Sequence, residues 1–255
     1  MPADELHTYG TKPFVEHLDD LRRTILWSLV SLGVGMGIAF PLAPYVLAFL
    51  KVPVARAGKD PETFLRVLRV AGGLSITLRI GFWGGLLLAL PFIIVAIGWF
   101  VFPGLTARER RAVRTALWVA VLLFATGVAF GYFLVLPAVV QLMLRINEWL
   151  GLTSEFVELG DYVSFVLRLL IAFGLAYEMP VVVVALGHLG IVTSRSLRSY
   201  RRHVIVGLLV AAMLLTPPDP LSQLMMALPL VVLYEICIWI VWARQRSADK
   251  READA

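Results

Sequence analysis

The stretch YVSFVLRLLIAFGLAYEMPVVVVALGHL, residues 162–189, decides the fold class because Arg168 and Glu178 are its only charged side chains. A helix over it would be about 42 Å long at 1.5 Å per residue, which is enough to cross a hydrocarbon core of about 30 Å. Pro180 follows shortly after Glu178 and has no backbone N–H, so it predicts a kink beside the carboxylate. The stretch therefore indicates a transmembrane helix with a carboxylate inside it.

Two interpretations of Glu178 stay open at this point. A charge in the middle of a bilayer costs about 2.5–3.5 kcal/mol even on lenient insertion scales, so it is seldom kept without a use. Glu178 is either a buried acid satisfied by a neighbouring Ser, Tyr or water, or a polar position used for docking or transport. Arg168 does not neutralise it, since ten residues of helix separate the two by about 15 Å along the axis. Arg168 is expected instead to pair with Asp161, two turns away.

The composition of the whole chain agrees with a membrane protein. Of its 255 residues 59% are hydrophobic and 16% charged, and the mean hydropathy is +0.82. Soluble domains carry about 25% charged residues, so a large soluble domain is excluded. The polar segment before Pro13 and the late start of the first apolar run at Ile25 predict no cleavable signal peptide. The single cysteine, Cys237, excludes an intramolecular disulfide.

Hydropathy predicts an all-α, polytopic membrane protein with six transmembrane helices in a single membrane domain, residues 1–255. The predicted spans are approximately residues 25–50, 76–101, 112–136, 162–189, 203–215 and 221–242, with a cytoplasmic tail at 243–255. The fifth span is short, and the sixth becomes short too if Glu235 lies at the cytoplasmic interface. A short pair of helices is expected to thin the bilayer locally.

Lys and Arg are divided unevenly between the connections. One side of the membrane receives Lys12, Arg22, Arg23, Arg108, Arg110, Arg111, Arg114, Arg195, Arg198, Arg201, Arg202, Arg244, Arg246, Lys250 and Arg251. The other side receives Lys51, Arg56, Lys59, Arg66, Arg69 and Arg145. The positive-inside rule therefore predicts that both the N- and C-termini are cytoplasmic.

The outer loop, residues 51–75, predicts a short amphipathic helix on the periplasmic surface. Pro61-Glu62 is typical of a helix start, and Gly72-Gly73 is typical of a helix end. Phe64, Leu65 and Leu68 would form its apolar face.

Enzyme chemistry has no candidate in the sequence. The four histidines are scattered without metal-ligand spacing, and no phosphate-binding loop or nucleophile motif is present. We therefore predict no catalytic residue, no metal site and no cofactor. From spacing alone, the cytoplasmic acids Asp20 and Glu109 are best explained by local neutralisation of the bases beside them.

Several motifs occur together and in order on the predicted spans. They are FVEHLDDLR at residues 14–22, FPGL at 102–105 with ERR at 109–111, AFGYF at 129–133 with Pro137, SF at 164–165 followed by AFG at 172–174 and EMP at 178–180, and LLTPPD at 214–219 followed by SQ at 222–223 and Glu235. Over nearly its whole length the chain resembles the TatC family, the large membrane subunit of the twin-arginine protein translocase.

The resemblance implies a glove-shaped, concave six-helix bundle in the cell inner membrane, without catalytic activity. It also implies a receptor for twin-arginine signal peptides, in which Asp20 and Glu109 receive the arginine pair and His17, Arg22 and Asp19 support them. Asp20 stands where the family usually has Glu. Polar positions for the intramembrane site and for partner docking carry over to Glu178, Asp219, Gln223 and Glu235.

The implied partners are signal peptides of folded passengers, the single-span subunits TatA and TatB, the lipid bilayer and further copies of this chain in a homo-oligomer, with no nucleic acid. Transport would use the proton-motive force. Two alternatives remain from the residues alone: a proton-coupled small-solute transporter with Glu178 and Glu235 as proton carriers, and a purely structural membrane subunit. The two halves of the chain show no match to each other, which weighs against a repeat-built transporter.

Overall fold

The structure, a computed structural model, describes residues 14–101, 107–151, 156–188, 192–215 and 220–253. This part of the chain is almost entirely helical, as predicted. Its helices are α1 (Phe14–Ala39), α2 (Ala43–Arg56), α3 (Pro61–Phe64), α4 (Gly72–Arg79), α5 (Gly85–Val101), α6 (Ala107–Phe130), α7 (Leu136–Trp149), α8 (Leu159–Ala176), α9 (Met179–His188), α10 (Ser194–Leu215) and α11 (Pro220–Ala253). Two π-helical segments, Ile80–Gly84 and Gly131–Val135, join α4 to α5 and α6 to α7 without a break.

Within the described ranges, four segments are long and apolar enough to cross a membrane. They are Gly72–Phe100, Arg114–Trp149, Leu159–Gly187 and Gln223–Arg246. A bent pair, Leu18–Ala39 with Ala43–Arg56, would make a fifth if it is taken as one span. The chain is therefore a membrane protein with several apolar helices.

The expectation of one continuous helix over residues 25–50 is wrong. The chain turns between Ala39 and Ala43, and α2 leaves α1 at an angle of 81°. Pro41 lies in this turn and Pro44 in the first turn of α2, where its missing N–H is tolerated. The prolines thus end one helix and begin another within a single apolar run.

Helix α2 is fixed across one end of the bundle by two tyrosine hydroxyls. Tyr132 donates to the backbone oxygen of Phe49 at 2.7 Å, and Tyr162 donates to that of Leu50, also at 2.7 Å. Leu50 and Val54 of α2 are fully buried against the same core as Leu136. We call this end of the bundle the α2 end.

The outer loop differs from the predicted amphipathic helix. Helix α3 is confined to Pro61–Phe64, and the carboxylate of Asp60 accepts a hydrogen bond from the Glu62 N–H at 3.2 Å. The chain then becomes extended at Leu65–Arg66, which pairs in parallel with Val157–Glu158. Gly72 begins α4 instead of ending a helix, so the prediction is wrong beyond Phe64.

Close glycine contacts set the order of the long helices. A Cβ on Gly35 would overlap the backbone oxygen of Gly85, and Gly81 faces Phe40, so α1 and α5 run antiparallel with their backbones touching. On the next pair, a Cβ on Gly127 of α6 would lie 2.5 Å from the backbone oxygen of Phe173 on α8. These contacts bring the starts of α1 and α6 to the end of the bundle opposite α2.

Candidate functional site

The buried carboxylate of Glu178 lies at a break in its helix. Helix α8 ends at Ala176 and α9 begins at Met179, so the predicted interruption beside Pro180 is confirmed. The Tyr177 N–H donates to the Phe173 oxygen at 3.0 Å and the Glu178 N–H donates to the Leu175 oxygen at 3.1 Å. The second of these bonds spans only three residues, so the last turn tightens, and Pro180 has no N–H with which to continue the ladder.

Glu178 is only 8% exposed, and its Oε1 atom has no hydrogen-bond partner among the described residues. A buried, unsatisfied polar atom carries a desolvation penalty of about 1–3 kcal/mol or more. One interpretation given above expected a neighbouring Ser or Tyr to satisfy this acid. No Ser or Tyr of the described chain donates to this oxygen. Glu178 is thus a buried and unsatisfied polar position nearer the Gly187 end of its span, where about 14 Å of helix remains.

The expected pair between Arg168 and Asp161 is wrong. Asp161 instead accepts from Arg79 at 3.2 Å, and Arg79 also donates to the Ser164 hydroxyl at 3.0 Å. Arg168 lies over the ring of Trp83, 5.4 Å from its centroid. Helix α4 packs beside the start of α8 and brings Arg79 to the acid, a contact between distant segments that spacing along one helix does not reveal.

Three polar side chains of α11 find partners on α10. Glu235 accepts from Arg201 at 2.7 Å, and Gln223 donates its amide to the Leu209 backbone oxygen at 2.8 Å. Tyr234 donates to the Leu197 backbone oxygen at 2.8 Å. The sequence indicates Arg201 only as a basic loop residue, because its role as the partner of Glu235 depends on the antiparallel register of the two helices.

The predicted signal-peptide residues lie near the starts of two helices. Asp19 and Arg22 are exposed on α1, and Asp20 is half-buried. His17 lies in the first turns of α1 and Glu109 in the first turn of α6, but their side chains are outside the described part of the structure. Asp219 lies outside the described residues altogether, so the roles of these side chains stay predictions.

The backbone places the starts of α1 and α6 at similar heights. Gly35 is level with Gly85, and a Cβ on Gly98 of α5 would overlap the side chain of Leu117 on α6. Counting 1.5 Å per residue from these contacts along straight helices puts Asp20 and Glu109 within about 10 Å of each other in height. Both acids therefore belong to the end of the bundle opposite α2.

The antiparallel contacts gather the basic segments at this same end. The Arg201–Glu235 and Gln223–Leu209 pairs orient the hairpin so that the start of α10 and the end of α11 lie together. The Ser194 N–H donates to the Gln245 side chain at 3.1 Å, which brings the Arg-rich start of α10 close to the end of α11. Gly187, at the end of α9, contacts Val241. We call this the basic end.

These features define a polytopic helical membrane protein with acids at its basic end and an unsatisfied carboxylate within one span. The chain belongs to the TatC family of Sec-independent protein translocases. The family's sequence model, described as "Sec-independent protein translocase protein (TatC)", matches residues 16–229. As a member of this family the chain is a translocase component rather than a catalytic enzyme, and the family gives no support to the solute-transporter alternative.

Relatives and solved structures agree on this assignment. A TatC protein of Deinococcus radiodurans is 38% identical over 230 residues, covering 89% of this chain and 84% of the relative. A TatC protein of Aquifex aeolicus is 36% identical over 228 residues, covering 89% and 94%. A crystal structure of a twin-arginine translocase receptor TatC superimposes with a TM-score of 0.81 at 35% identity, covering 89% of this chain and 98% of the other.

Proposed function

We propose that this chain is the receptor and core scaffold of a twin-arginine translocase, which binds twin-arginine signal peptides and docks TatA- and TatB-type partners and further copies of itself. Folded passengers would then cross the inner membrane at the expense of the proton-motive force. The observation that carries the proposal is the arrangement of the helix starts, which brings Asp20 and Glu109 to the same end of a scaffold with TatC relatives.

The proposed topology has six crossings with both termini in the cytoplasm. Helices α10 and α11 form an antiparallel hairpin. The apolar part of α10, residues 203–215, counts as the short fifth crossing and α11 as the sixth. The basic end would face the cytoplasm, because it carries the Lys- and Arg-rich segments. The α2 end would face the periplasm and would include the outer loop.

The chemistry of the proposed site follows from the guanidinium group. Guanidinium is planar, permanently charged and binds carboxylates through two parallel hydrogen bonds. Two acids on separate helices suit two adjacent arginines of an incoming peptide. Asp20 is one methylene shorter than Glu, so the peptide would tilt toward α1 or recruit Asp19, which is exposed beside it.

Photo-crosslinking tests this receptor function while the acids are left in place. A photoreactive residue at position 23 or 112, one turn from Asp20 or Glu109, is expected to crosslink a twin-arginine peptide in inverted membrane vesicles. Replacing both peptide arginines by alanine should abolish the crosslinks, and the same label at position 62 in the outer loop should give none. Crosslinks that persist with the alanine peptide contradict the proposal.

Glu109→Gln provides the matching test of charge. Since a hydrogen bond to a charged group contributes about 1.5–3 kcal/mol, peptide affinity is expected to fall roughly tenfold or more. Glu62→Gln removes an acid that is paired with Lys51 in the outer loop and serves as the control. If Glu109→Gln binds the peptide with the same affinity as wild type, Glu109 only neutralises the neighbouring arginines.

A further inference from the structure

One side of α8 stays open although most of the helix is buried. Asp161, Phe165, Arg168, Ala172 and Leu175 follow one another at spacings of three or four residues, so they form one line along the helix. Asp161, Arg168 and Leu175 are exposed and the other two are half-buried. We call this line the α8 stripe.

Arg168 is held in place on this stripe by an aromatic ring. Its guanidinium carbon lies 5.4 Å from the centroid of Trp83, which belongs to the π-helical segment Ile80–Gly84. Trp83 packs against the core and makes an edge contact with Phe82 at 5.1 Å. The ring attracts the cation and orients it, but it carries no net charge with which to neutralise it.

No carboxylate of the described chain takes up this charge. Arg168 takes no part in the ion pairs seen for the described acids Glu62, Glu158, Asp161 and Glu235, whose cations are Lys51, Arg69, Arg79 and Arg201. Asp161, the acid on the same stripe, is taken by Arg79. Arg168 is therefore an exposed, oriented cation without an anionic partner in the described part of its own chain.

The depth of Arg168 makes this arrangement costly in lipid. It lies nine residues, about 13.5 Å, inside the Leu159 end of its span, and about 10 Å beyond the level of Asp161. An arginine facing hydrocarbon at such depth is rare, and such residues usually face protein or a polar cavity and pair with an opposite charge. An anion presented at the same depth would remove the cost.

We propose that Arg168 is the docking point for a carboxylate carried by a transmembrane helix of a separate protein, which lies along the α8 stripe. Charge complementarity selects the acid, and the small side chain of Ala172 allows a neighbouring helix to approach closely. Phe165 and Leu175 supply apolar contact on either side. This inference rests on the proposed scaffold role, because it specifies the chemistry of one docked partner.

Charge also separates this surface from the peptide site. A twin-arginine segment would be repelled by Arg168, whereas the acids at the basic end attract it. The α8 stripe and the starts of α1 and α6 are therefore two surfaces for ligands of opposite sign.

The test uses synthetic single-span peptides of leucine and alanine with one Glu placed level with Arg168, and twins that carry Gln instead. Association with the full chain is measured by energy transfer in phosphatidylcholine nanodiscs. Wild type is expected to bind the Glu peptide about tenfold more tightly than the Gln peptide, given the strength of polar contacts between membrane helices. Moving the Glu by two turns should remove this preference.

Variants of the chain test whether the preference for the Glu peptide depends on Arg168. Arg168→Gln is expected to lose it and Arg168→Lys to retain part of it, with unchanged thermal melting in both. Arg56→Gln is the matched control, because Arg56 is also exposed and also lies over a ring, Phe133 at 5.5 Å, but at the α2 end. The control should keep the full preference.

Equal binding of the two peptides by wild type, or a preference that survives Arg168→Gln, overturns the proposal. A preference that disappears when phosphatidylglycerol is added assigns Arg168 to lipid headgroups and also overturns it. Binding of a twin-arginine peptide is measured on the same samples. If the wild type does not bind the twin-arginine peptide, the receptor function is contradicted. The preference for the Glu peptide over the Gln peptide still decides the docking proposal.

Discussion

Helix α8 and the α10–α11 hairpin differ in whether their polar side chains have partners within the chain. In the hairpin, Glu235 is paired with Arg201 and the amide of Gln223 with the Leu209 backbone. On α8 and the break that follows it, Glu178 keeps an oxygen without a partner in the described chain and Arg168 has only an aromatic ring. The named polar groups of the hairpin therefore have partners within it, whereas Arg168 of α8 is exposed to other molecules and Glu178 keeps a buried oxygen unsatisfied.

The largest expected effect comes from disturbing the contact that supports the break in α8. Gly127→Ala places a Cβ 2.5 Å from the Phe173 backbone oxygen and 2.8 Å from the Tyr177 side chain. Backbone cannot move aside cheaply, so the free energy of unfolding should fall by about 1–3 kcal/mol. Thermal unfolding in detergent measures this change.

Gly33→Ala is the control for Gly127→Ala, since a Cβ on Gly33 has nothing within 4 Å. Alanine favours a helix over glycine by about 1 kcal/mol, so the control should keep or gain stability. Equal stability changes in the two variants would show that the close contact of α6 with Phe173 and Tyr177 does not support the break in α8.

A second effect separates stability from function at Glu178. Glu178→Met keeps a similar side-chain volume and removes the unsatisfied oxygen, so the free energy of unfolding is expected to stay level or rise by about 1–3 kcal/mol. Export of a folded twin-arginine passenger from cells should fall in the same variant. If export is unchanged, Glu178 is a structural acid, and its contrast with the hairpin loses its functional meaning.

The smallest effect is expected in the hairpin. Arg201 and Glu235 are both partly exposed, so a double-mutant cycle with Arg201→Gln and Glu235→Gln should give a coupling energy of only about 0.2–1 kcal/mol. Unfolding of the four proteins in detergent gives this coupling. A much larger coupling energy would show that the Arg201–Glu235 pair is important for stability. The contrast between the hairpin and α8 would then be weaker.

The sequence alone predicted the features that depend on local chemistry. The apolar runs identified the helices, and Pro180 located the break beside Glu178. The family motifs assigned a peptide-binding role to the acids of α1 and α6, and that role stays a prediction. Each of these signals lies within one short segment and needs no knowledge of which helices are neighbours.

Features that depend on packing could not be obtained in this way. Whether Asp161 pairs with Arg168 or with Arg79 is decided by the approach of α4, and Glu235 acquires Arg201 through the register of the hairpin. The third predicted span ends at residue 136, but the helix continues to Trp149. The π-helical segment before Leu136 shifts the hydrogen-bond pattern, so Pro137 is accommodated without ending the helix.

Helix α2, bound at Phe49 and Leu50 by the two tyrosines, limits where cargo could travel. Among the described residues, the interior beneath this helix is filled by close-packed side chains that include Leu136, Val166 and Phe173. A folded passenger is far wider than any gap between such side chains. Under the proposed function, its route would therefore run along the flank of this subunit, and neighbouring chains or lipid would form the rest of the wall.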